Sequence, residues 1–262
     1  MSIPIAITGA AGRMGRRLIA LAADTDLKVV SAIECAGSEF EGQDAGRLAG
    51  ANESGVAISA ELQDSPKVMI DFSIPEATRH WLKICRDRKI AMVIGTTGLT
   101  QSDQEAIDQA AGQIAIVQSP NMSLGVNLLF KLVAQAARTL GDDYDIEIVE
   151  GHHRFKKDAP SGTAMGLAHS ILKATNKTKD ALVYGRQGEN SERQRGQIGM
   201  HALRIGDEVG RHTAYFAALG ERLELTHVAT NRDTFVHGAL RAAKWVADKK
   251  PGRYTMFDVL GL

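Results

Sequence analysis

Apolar positions along the first 120 residues fall into short continuous runs separated by helix-period stretches. Residues 3–8 (IPIAIT) are an apolar run that stops at Gly9. RMGRRLIALAAD then places Met14, Leu18, Ile19 and Leu21 at helical spacing, and residues 27–34 (LKVVSAIE) return to an apolar run ending in an acid. This order predicts strand, turn, helix and strand, a βαβ unit of the size of a mononucleotide-binding half. The cycle repeats through residues 67–73 (KVMIDFS), a helix opened by Pro75, residues 90–95 (IAMVIG), a polar helix ending near Ala111, and residues 114–119 (IAIVQS). Strands apolar on both faces and alternating with helices predict a Rossmann-type doubly wound α/β domain with a parallel sheet covered on both sides.

The pattern changes after a long amphipathic helix over 124–140. Residues 145–150, 181–185, 197–205, 212–220 and 222–230 read as strands, with one strong helix among them at 162–175. A second, α+β domain with a mixed or antiparallel sheet is expected. RIGDEVG (204–210) reads as a hairpin connection, with Gly206 and Gly210 supplying the turn conformations. The amphipathic stretch DTFVHGALRAAKWVADKK, stopped by Pro251-Gly252, is expected to pack back on the first domain. The predicted division is therefore a discontinuous dinucleotide-binding domain, 1–123 with 233–262, and a substrate-binding domain, 124–232, joined near 120–127 and 230–234.

Bulk properties narrow the function. The 262 residues carry 31 Lys plus Arg against 31 Asp plus Glu, so no global charge favours nucleic acid or an anionic membrane surface. No apolar run approaches the length of a membrane span, and the start of the chain enters a strand pattern without a basic leader, so a cytoplasmic location is expected. Cys35 and Cys85 are too few for a disulfide framework and lack zinc or redox spacing.

Chemistry concentrates at two places. Gly9-Ala10-Ala11-Gly12-Arg13-Met14-Gly15 lies between the first strand and first helix. There Gly9 allows a tight turn, Gly12 lets the backbone approach a pyrophosphate, Gly15 lets helix and strand pack closely, and the helix N-terminus offers unpaired amides to the anion. Glu34, about 20 residues on, is placed to accept hydrogen bonds from ribose hydroxyls, and with Cys35 beside it in place of a basic residue it points to NADH. Arg13 or Arg16 could still clamp the extra phosphate of NADPH. Gly95, Thr96 and Thr97, and then Ser119, Pro120, Asn121 and Met122, follow parallel strands at their carboxyl ends and are the candidates to line the nicotinamide and its ribose.

The second concentration is the stretch from Glu150 to Ala164, EGHHRFKKDAPSGTA. Ser161 or Thr163 can cap the following helix, which turns the amides of Gly162 and Thr163 into an anion site with Lys156 as a nearby point charge. Taken alone, His152 and His153 read as structural or catalytic. Because adjacent side chains in extended backbone point opposite ways, at most one of them faces a reacting atom. His152 and His153 with Asp158 do not have ligand spacing on a regular element, and no metal is expected. His80, His169, His201, His212, His227 and His237 read as solvated or packed side chains.

At this stretch the sequence resembles the dihydrodipicolinate reductase family, whose signature runs E-x-H-H-x-x-K-x-D-A-P-S-G-T-A. The resemblance extends over the whole chain through GAAGRMG, DFSIPEAT, VIGTTG, NMSLGVN, RIGDEVGRHTAYFAALGERLELTHVA and FVHGALRAAKW. It implies His152 as general acid/base, Lys156 as proton donor, His153 as a substrate contact, and Gly162 with Thr163 as binders of a substrate carboxylate. It also implies hydride transfer from NADH or NADPH to a small cyclic dicarboxylate between the two domains, in lysine and diaminopimelate synthesis, and a homotetramer assembled through the second domain's sheet. Cys35 stands where some members carry an arginine, and SPNM (119–122) differs from variants such as A-x-N-F, so only a backbone role carries over there.

Two other readings compete. Another Rossmann amino- or imino-acid dehydrogenase, of aspartate or diaminopimelate, would lack the HHxxKxDAPSGTA loop. A cofactor-sensing protein without turnover would be expected to have an impaired substrate loop, and here both loops are complete.

Overall fold

Strands whose two faces must both be buried read as continuous apolar runs, and in this chain those runs lie side by side in one sheet. The computed structural model describes residues 2–262 and divides into two units, Met1–Leu124 with Asp233–Leu262, and Gly125–Arg232.

In the first unit, β1 (Ile3–Thr8), β2 (Leu27–Ile33), β3 (Ile58–Ser59), β4 (Val68–Asp71), β5 (Ala91–Ile94), β6 (Ala115–Gln118) and β12 (Gly252–Tyr254) form an all-parallel sheet in the order β12-β6-β5-β4-β1-β2-β3. Alternate residues divide between two cores. On one face, Ile5, Ile7, Val68, Ile70, Val93 and Val117 meet α1 (Arg13–Ala22), α7 (Asp233–Val246) and α8 (Met256–Leu260). On the other, Ala6, Met69, Met92, Ile94 and Ile116 meet α3 (Pro75–Arg88) and α4 (Gln101–Ala111). A four-residue helix, α2 (Ala45–Leu48), is capped by Asp44, whose carboxylate also accepts from the amides of Ser54 and Gly55 and is held down at a pKa of about 2, these hydrogen bonds outweighing its partial desolvation.

Helix α7 returns to this unit as its amphipathic pattern requires. Gly238 makes the close approach possible, because a Cβ there would lie 1.7 Å from the carbonyl oxygen of Met122. Sequence periodicity does not foresee β12, a three-residue strand beyond Pro251 that pairs with β6 at the sheet edge.

In the second unit, β7 (Asp145–His152), β8 (Leu182–Tyr184), β9 (Ile198–Arg204), β10 (Gly210–Ala218) and β11 (Glu221–Ala229) form a mixed sheet in the order β11-β10-β7-β9-β8. β7, β8 and β9 run parallel, while β10 is antiparallel to both β7 and β11. One face packs on α5 (Leu124–Leu140) and α6 (Gly162–Thr175) through Leu129, Val133, Ile148, Leu167, Ile171, Met200 and Phe216.

The expected hairpin at RIGDEVG is not one. β7 lies between β9 and β10, so residues 205–209 cross over the end of β7 instead of joining neighbours. Two backbone bonds, Ile205 N to His152 O at 2.8 Å and Arg154 N to Gly206 O at 3.0 Å, fasten the crossing to the segment after β7. Gly206 does adopt a positive φ of 47°, whereas Gly210 is the first residue of β10 and takes no positive φ. The tight turn sits instead at Leu219-Gly220 between β10 and β11, with Gly220 at φ 97°. Period-2 alternation marks strands but does not say which strands pair, and that is why RIGDEVG reads wrongly as a hairpin from sequence alone.

Among the described residues no helix is long and apolar enough to cross a membrane.

Candidate functional sites in the two units

The glycine loop of the first unit is built from backbone crowding. Gly9 takes φ 68°, and a Cβ on it would meet the Phe72 carbonyl at 2.7 Å. A Cβ on Gly15 would lie 2.1 Å from the Gly9 carbonyl and 2.7 Å from the Ala10 Cα, which is the close packing of helix on strand expected of the third glycine. Three amides of the loop have protein acceptors: Ala10 N bonds Ile33 O at 3.0 Å, Gly12 N bonds Gly9 O at 3.0 Å, and Ala11 N bonds the Glu34 carboxylate at 3.1 Å. The amides opening α1, at Arg13 and Met14, follow directly on these three. Gly12 has no side chain to cap them, whereas α4, α6 and α8 each have a side-chain cap. The Ala10 side chain is fully buried and Met14 packs against the core, so only their backbones face the loop's task.

Two clefts lie at the carboxyl ends of these strands. One, of about 630 Å³, is lined by Gly9, Gly12, Glu34, Cys35, Phe72 and Trp81 among others. The second, of about 320 Å³, joins Thr96, Thr97, Gly98, Ser119 and Pro120 with Arg253. Arg253 went unseen in the sequence because β12 did; its guanidinium donates to Gln118 Oε1 and Asp108 Oδ1, each at 2.6 Å. Gly95 is small because of Phe72, whose ring would meet a Cβ at 2.3 Å. Asn121 follows the second cleft at the end of β6, while the Met122 side chain is buried in the core and can serve a ligand only through its backbone.

Glu34 reaches into the loop rather than standing free. Its two oxygens accept from Ala11 N and Cys35 N at 3.1 Å each, which leaves lone pairs for further donors. Arg16 is committed nearby, with Nε 2.7 Å from Ala11 O and its guanidinium 5.0 Å above the Phe40 ring. Arg13 is exposed.

In the second unit the end of β7, the start of β10 and the N-terminus of α6 converge. Adjacent residues face opposite ways as extended backbone dictates: the His152 ring is buried, while His153 is half-buried and its Nδ1 has no protein partner. Glu150, two residues before His152 and on the same face, is 1% exposed, and its Oε2 lies 2.5 Å from His152 Nδ1. That contact assigns the carboxylate to one ring nitrogen and leaves Nε2 as the atom available for proton transfer. A Cβ on Gly210 would lie 3.2 Å from Nε2, so glycine there keeps the space beside it open.

Glu150 is also held by the Ser161 amide at 3.1 Å and by both terminal nitrogens of Arg204 at 3.1 to 3.2 Å. Burial works against its charge, yet Arg204 and His152 outweigh that and hold its pKa below the usual glutamate value. Arg204 further donates to Asp158 O at 2.5 Å, and Asp158 holds the Lys156 ammonium at 2.7 and 2.9 Å. A continuous polar chain thus runs from Lys156 through Asp158, Arg204 and Glu150 to His152.

Ser161 caps α6 by accepting from Ala164 N at 3.2 Å. The first helical residue, Gly162, is exposed, and nothing lies within 4 Å of where its Cβ would be, so an anion can approach the helix end there. Thr163 is the second residue of the same turn.

His212, read from sequence only as solvated or packed, belongs to this cluster. It is the cross-strand partner of Glu150, it is 4% exposed, its Nε2 lies 3.0 Å from Ser161 Oγ, and its ring meets that of His152 edge-on at 5.0 Å. Burial and the neighbouring His152 push its pKa down to about 4, against a weaker upward pull from Glu150. The folded ring is neutral while the unfolded imidazole gains a proton near pH 6.5, so stability falls as pH drops from about 6.5 to about 4. Urea unfolding of the parent is expected to lose on the order of 3 kcal/mol across that window, and His212→Gln to flatten the slope. An unchanged slope in the variant would remove His212 as its source.

Comparison with known proteins agrees across the whole length. The family description "Dihydrodipicolinate reductase, N-terminus" matches residues 3–122 and "Dihydrodipicolinate reductase, C-terminus" matches residues 125–260. A protein of Alkalilimnicola ehrlichii named 4-hydroxy-tetrahydrodipicolinate reductase is 51% identical and one of Thiobacillus denitrificans with the same name is 49% identical, each over 100% of both chains. Among solved structures, the dipicolinate-bound dihydrodipicolinate reductase of Paenisporosarcina sp. TG-14 aligns with a TM-score of 0.77 at 22% identity over 98% of this chain and 99% of that one. The amine dehydrogenase of Mycobacterium smegmatis aligns with a TM-score of 0.62 at 13% identity over 98% of this chain and 95% of that one, a likeness of fold. With two family descriptions that together span nearly the whole sequence and full-length relatives half identical to it, the chain belongs to the dihydrodipicolinate reductase family.

Proposed function

We propose that this chain reduces 4-hydroxy-tetrahydrodipicolinate to tetrahydrodipicolinate with a reduced nicotinamide dinucleotide, in the cytoplasm, as a step toward diaminopimelate and lysine. The observation that carries the reading is the polar chain from Lys156 to His152 beside the Ser161-capped start of α6. It offers a cation, a helix-end anion site and an oriented imidazole, a set suited to a small ring bearing carboxylates.

The first unit fits a dinucleotide: the Arg13 and Met14 amides would hold the pyrophosphate, Glu34 the adenosine ribose, and the backbone of Gly95 to Thr97 and Ser119 to Met122 the nicotinamide ribose. When bound, the nicotinamide supplies the hydride that adds at ring C4 of the unsaturated imine left after the 4-hydroxyl departs as water. Gly162, Thr163 and the Lys156 ammonium hold one substrate carboxylate, and His153 contacts the substrate from the other side of the strand. The ring then requires one proton. Lys156 stabilises the negative charge that develops and donates that one proton, and His152, held through Nδ1 by Glu150, serves the earlier water loss, taking the departing ring proton at Nε2 and passing it to the leaving hydroxyl.

NADH is the preferred dinucleotide in this proposal. Glu34 retains acceptor capacity for ribose hydroxyls and repels a 2′-phosphate, Cys35 adds no charge, and Arg16 is already bonded to the loop. Two negative charges of a phosphate about 5 Å from Glu34 in a watery cleft cost between one and two kcal/mol, so kcat/KM with NADH should exceed that with NADPH about tenfold. The test follows absorbance at 340 nm with each dinucleotide while a coupled synthase generates the unstable substrate. No substrate-dependent oxidation of either dinucleotide would sink the proposal, and equal rates with both would sink the preference.

Within the second unit, no helix covers the sheet face opposite α5 and α6, where Leu203 and Val228 are 46% and 49% exposed. This face supports the homotetramer that the family resemblance implies, which light scattering on the purified chain would measure.

A further inference from the structure

Asp71 ends β4, is completely buried, and pairs with no cationic side chain among the described residues. Four hydroxyls solvate it instead. Oδ1 accepts from Thr8 Oγ1 at 2.6 Å and from Ser73 Oγ, and Oδ2 accepts from Thr78 Oγ1 at 2.5 Å and Thr96 Oγ1 at 3.0 Å. A buried carboxylate carries a large desolvation cost, and well-packed apolar groups of the same volume would serve stability at least as well.

Its position in the sheet explains what the arrangement achieves. Successive strands leave β1 in one direction toward β2 and β3 and return on its other side as β4, β5, β6 and β12, so the boundary between β1 and β4 is the topological switch point. Asp71 lies opposite Thr8 across that boundary and opposite Ile94 on the other side. Three of the four hydroxyl-bearing residues, Thr8, Ser73 and Thr96, line a cleft themselves, whereas Thr78 on α3 lines neither. Thr8 immediately precedes Gly9, Ser73 follows Phe72 in the larger cleft, and Thr96 lines the smaller one. The segments are also cross-tied, because Thr96 Oγ1 accepts from Ser73 N at 2.9 Å and Gly95 N donates to Asp71 O at 2.9 Å.

We propose that Asp71 is a positioning residue for the dinucleotide, a single buried acceptor that locks the glycine-loop strand end, the Phe72-Ser73 segment and the Thr96 segment into one rigid frame. This rests on the reading of the first unit as the dinucleotide site. The carboxylate touches neither the reacting atoms nor the cofactor; it acts by removing the cost of ordering three loops when the two halves of a dinucleotide are bound at once.

The experiment is titration of the purified full-length chain with NADH, followed by nicotinamide fluorescence, beside thermal unfolding of the same samples. Asp71→Asn keeps the shape but turns one oxygen into a donor, so two hydroxyls lose their acceptor. The Kd for NADH should rise about tenfold or more, as loss of hydrogen bonds to a charged group implies. In turnover the KM for NADH should rise while the KM for the dicarboxylate stays within twofold. Should Asp71→Asn fail to fold, single-hydroxyl variants decide: Thr8→Val and Thr96→Val should weaken NADH binding severalfold more than Thr78→Val, because Thr8 and Thr96 line the clefts themselves and Thr78 lines neither.

A folded Asp71→Asn that binds NADH as tightly as the parent, with only its melting temperature lowered, overturns the proposal. So does equal weakening by all three hydroxyl variants. A parent chain that takes up neither NADH nor NADPH overturns both this inference and the functional reading, whereas tight parental binding with an indifferent Asp71→Asn overturns this inference alone.

Discussion

Lys156→Ala and His152→Ala are each expected to lower kcat by roughly 10²- to 10⁴-fold, the range for losing a positioned proton-transfer group. The two should differ in their effect on KM. Lys156 is a charge for the substrate carboxylate as well as a proton source, and its partner among the described residues is the exposed Asp158, so its removal should raise KM for the dicarboxylate while lowering kcat. His152 is buried and held by Glu150, and it meets the substrate only through Nε2, so its removal should act on kcat with KM nearly constant. Steady-state kinetics in the coupled assay separate these cases. Near-normal turnover in both variants would remove the second unit's polar chain from the chemistry altogether.

Gly15→Ala and Gly12→Ala should divide folding from binding in the glycine loop. At Gly15 the new Cβ would press on the Gly9 carbonyl and the Ala10 backbone, none of which is a flexible side-chain end. Such overpacking is expected to cost at least about 3 kcal/mol, a fall in Tm of roughly 6–12 °C for a chain of this size, and NADH binding should go with it. At Gly12 the nearest atom to a new Cβ is the Gly9 carbonyl at 3.1 Å and φ is an ordinary −72°, so Tm should change little. The methyl would nevertheless stand where the backbone must approach a pyrophosphate, and the Kd for NADH should rise about a hundredfold. Thermal unfolding and NADH fluorescence on the two variants measure both effects. A Gly12→Ala protein that binds NADH normally would mean the pyrophosphate lies elsewhere.

Several features of the fold needed nothing beyond local pattern. The strand, glycine turn and helix at the start follow from an apolar run, residues without side chains at 9, 12 and 15, and a 3.6-residue period, all within neighbouring positions. The same holds for Pro75 at the start of α3, for Ser161 capping α6, and for the opposite facing of His152 and His153. In the second unit the strands themselves were legible, but their order was not. A hairpin at RIGDEVG and a crossing over β7 require the same turn-forming residues, and only pairing chooses between them.

The chain's own residues therefore determined two things: which segments are helix or strand, and that a glycine loop and a basic, histidine-bearing loop exist. Tertiary structure alone decided what surrounds them. Glu150 meets Arg204 because β7 and β9 run parallel in register, and His212 stands beside Glu150 because β10 pairs antiparallel on the other side. Thr8, Asp71 and Thr96 come together because β4 lies between β1 and β5. Arg253 reaches Gln118 only after a three-residue strand joins the edge at β6. The physical reason is the same in each case. Periodicity and capping are set by hydrogen bonds and contacts within a few residues, whereas Glu150 gains Arg204 across 54 residues of chain and Asp71 gains Thr8 across 63, through a sheet register that no local pattern encodes.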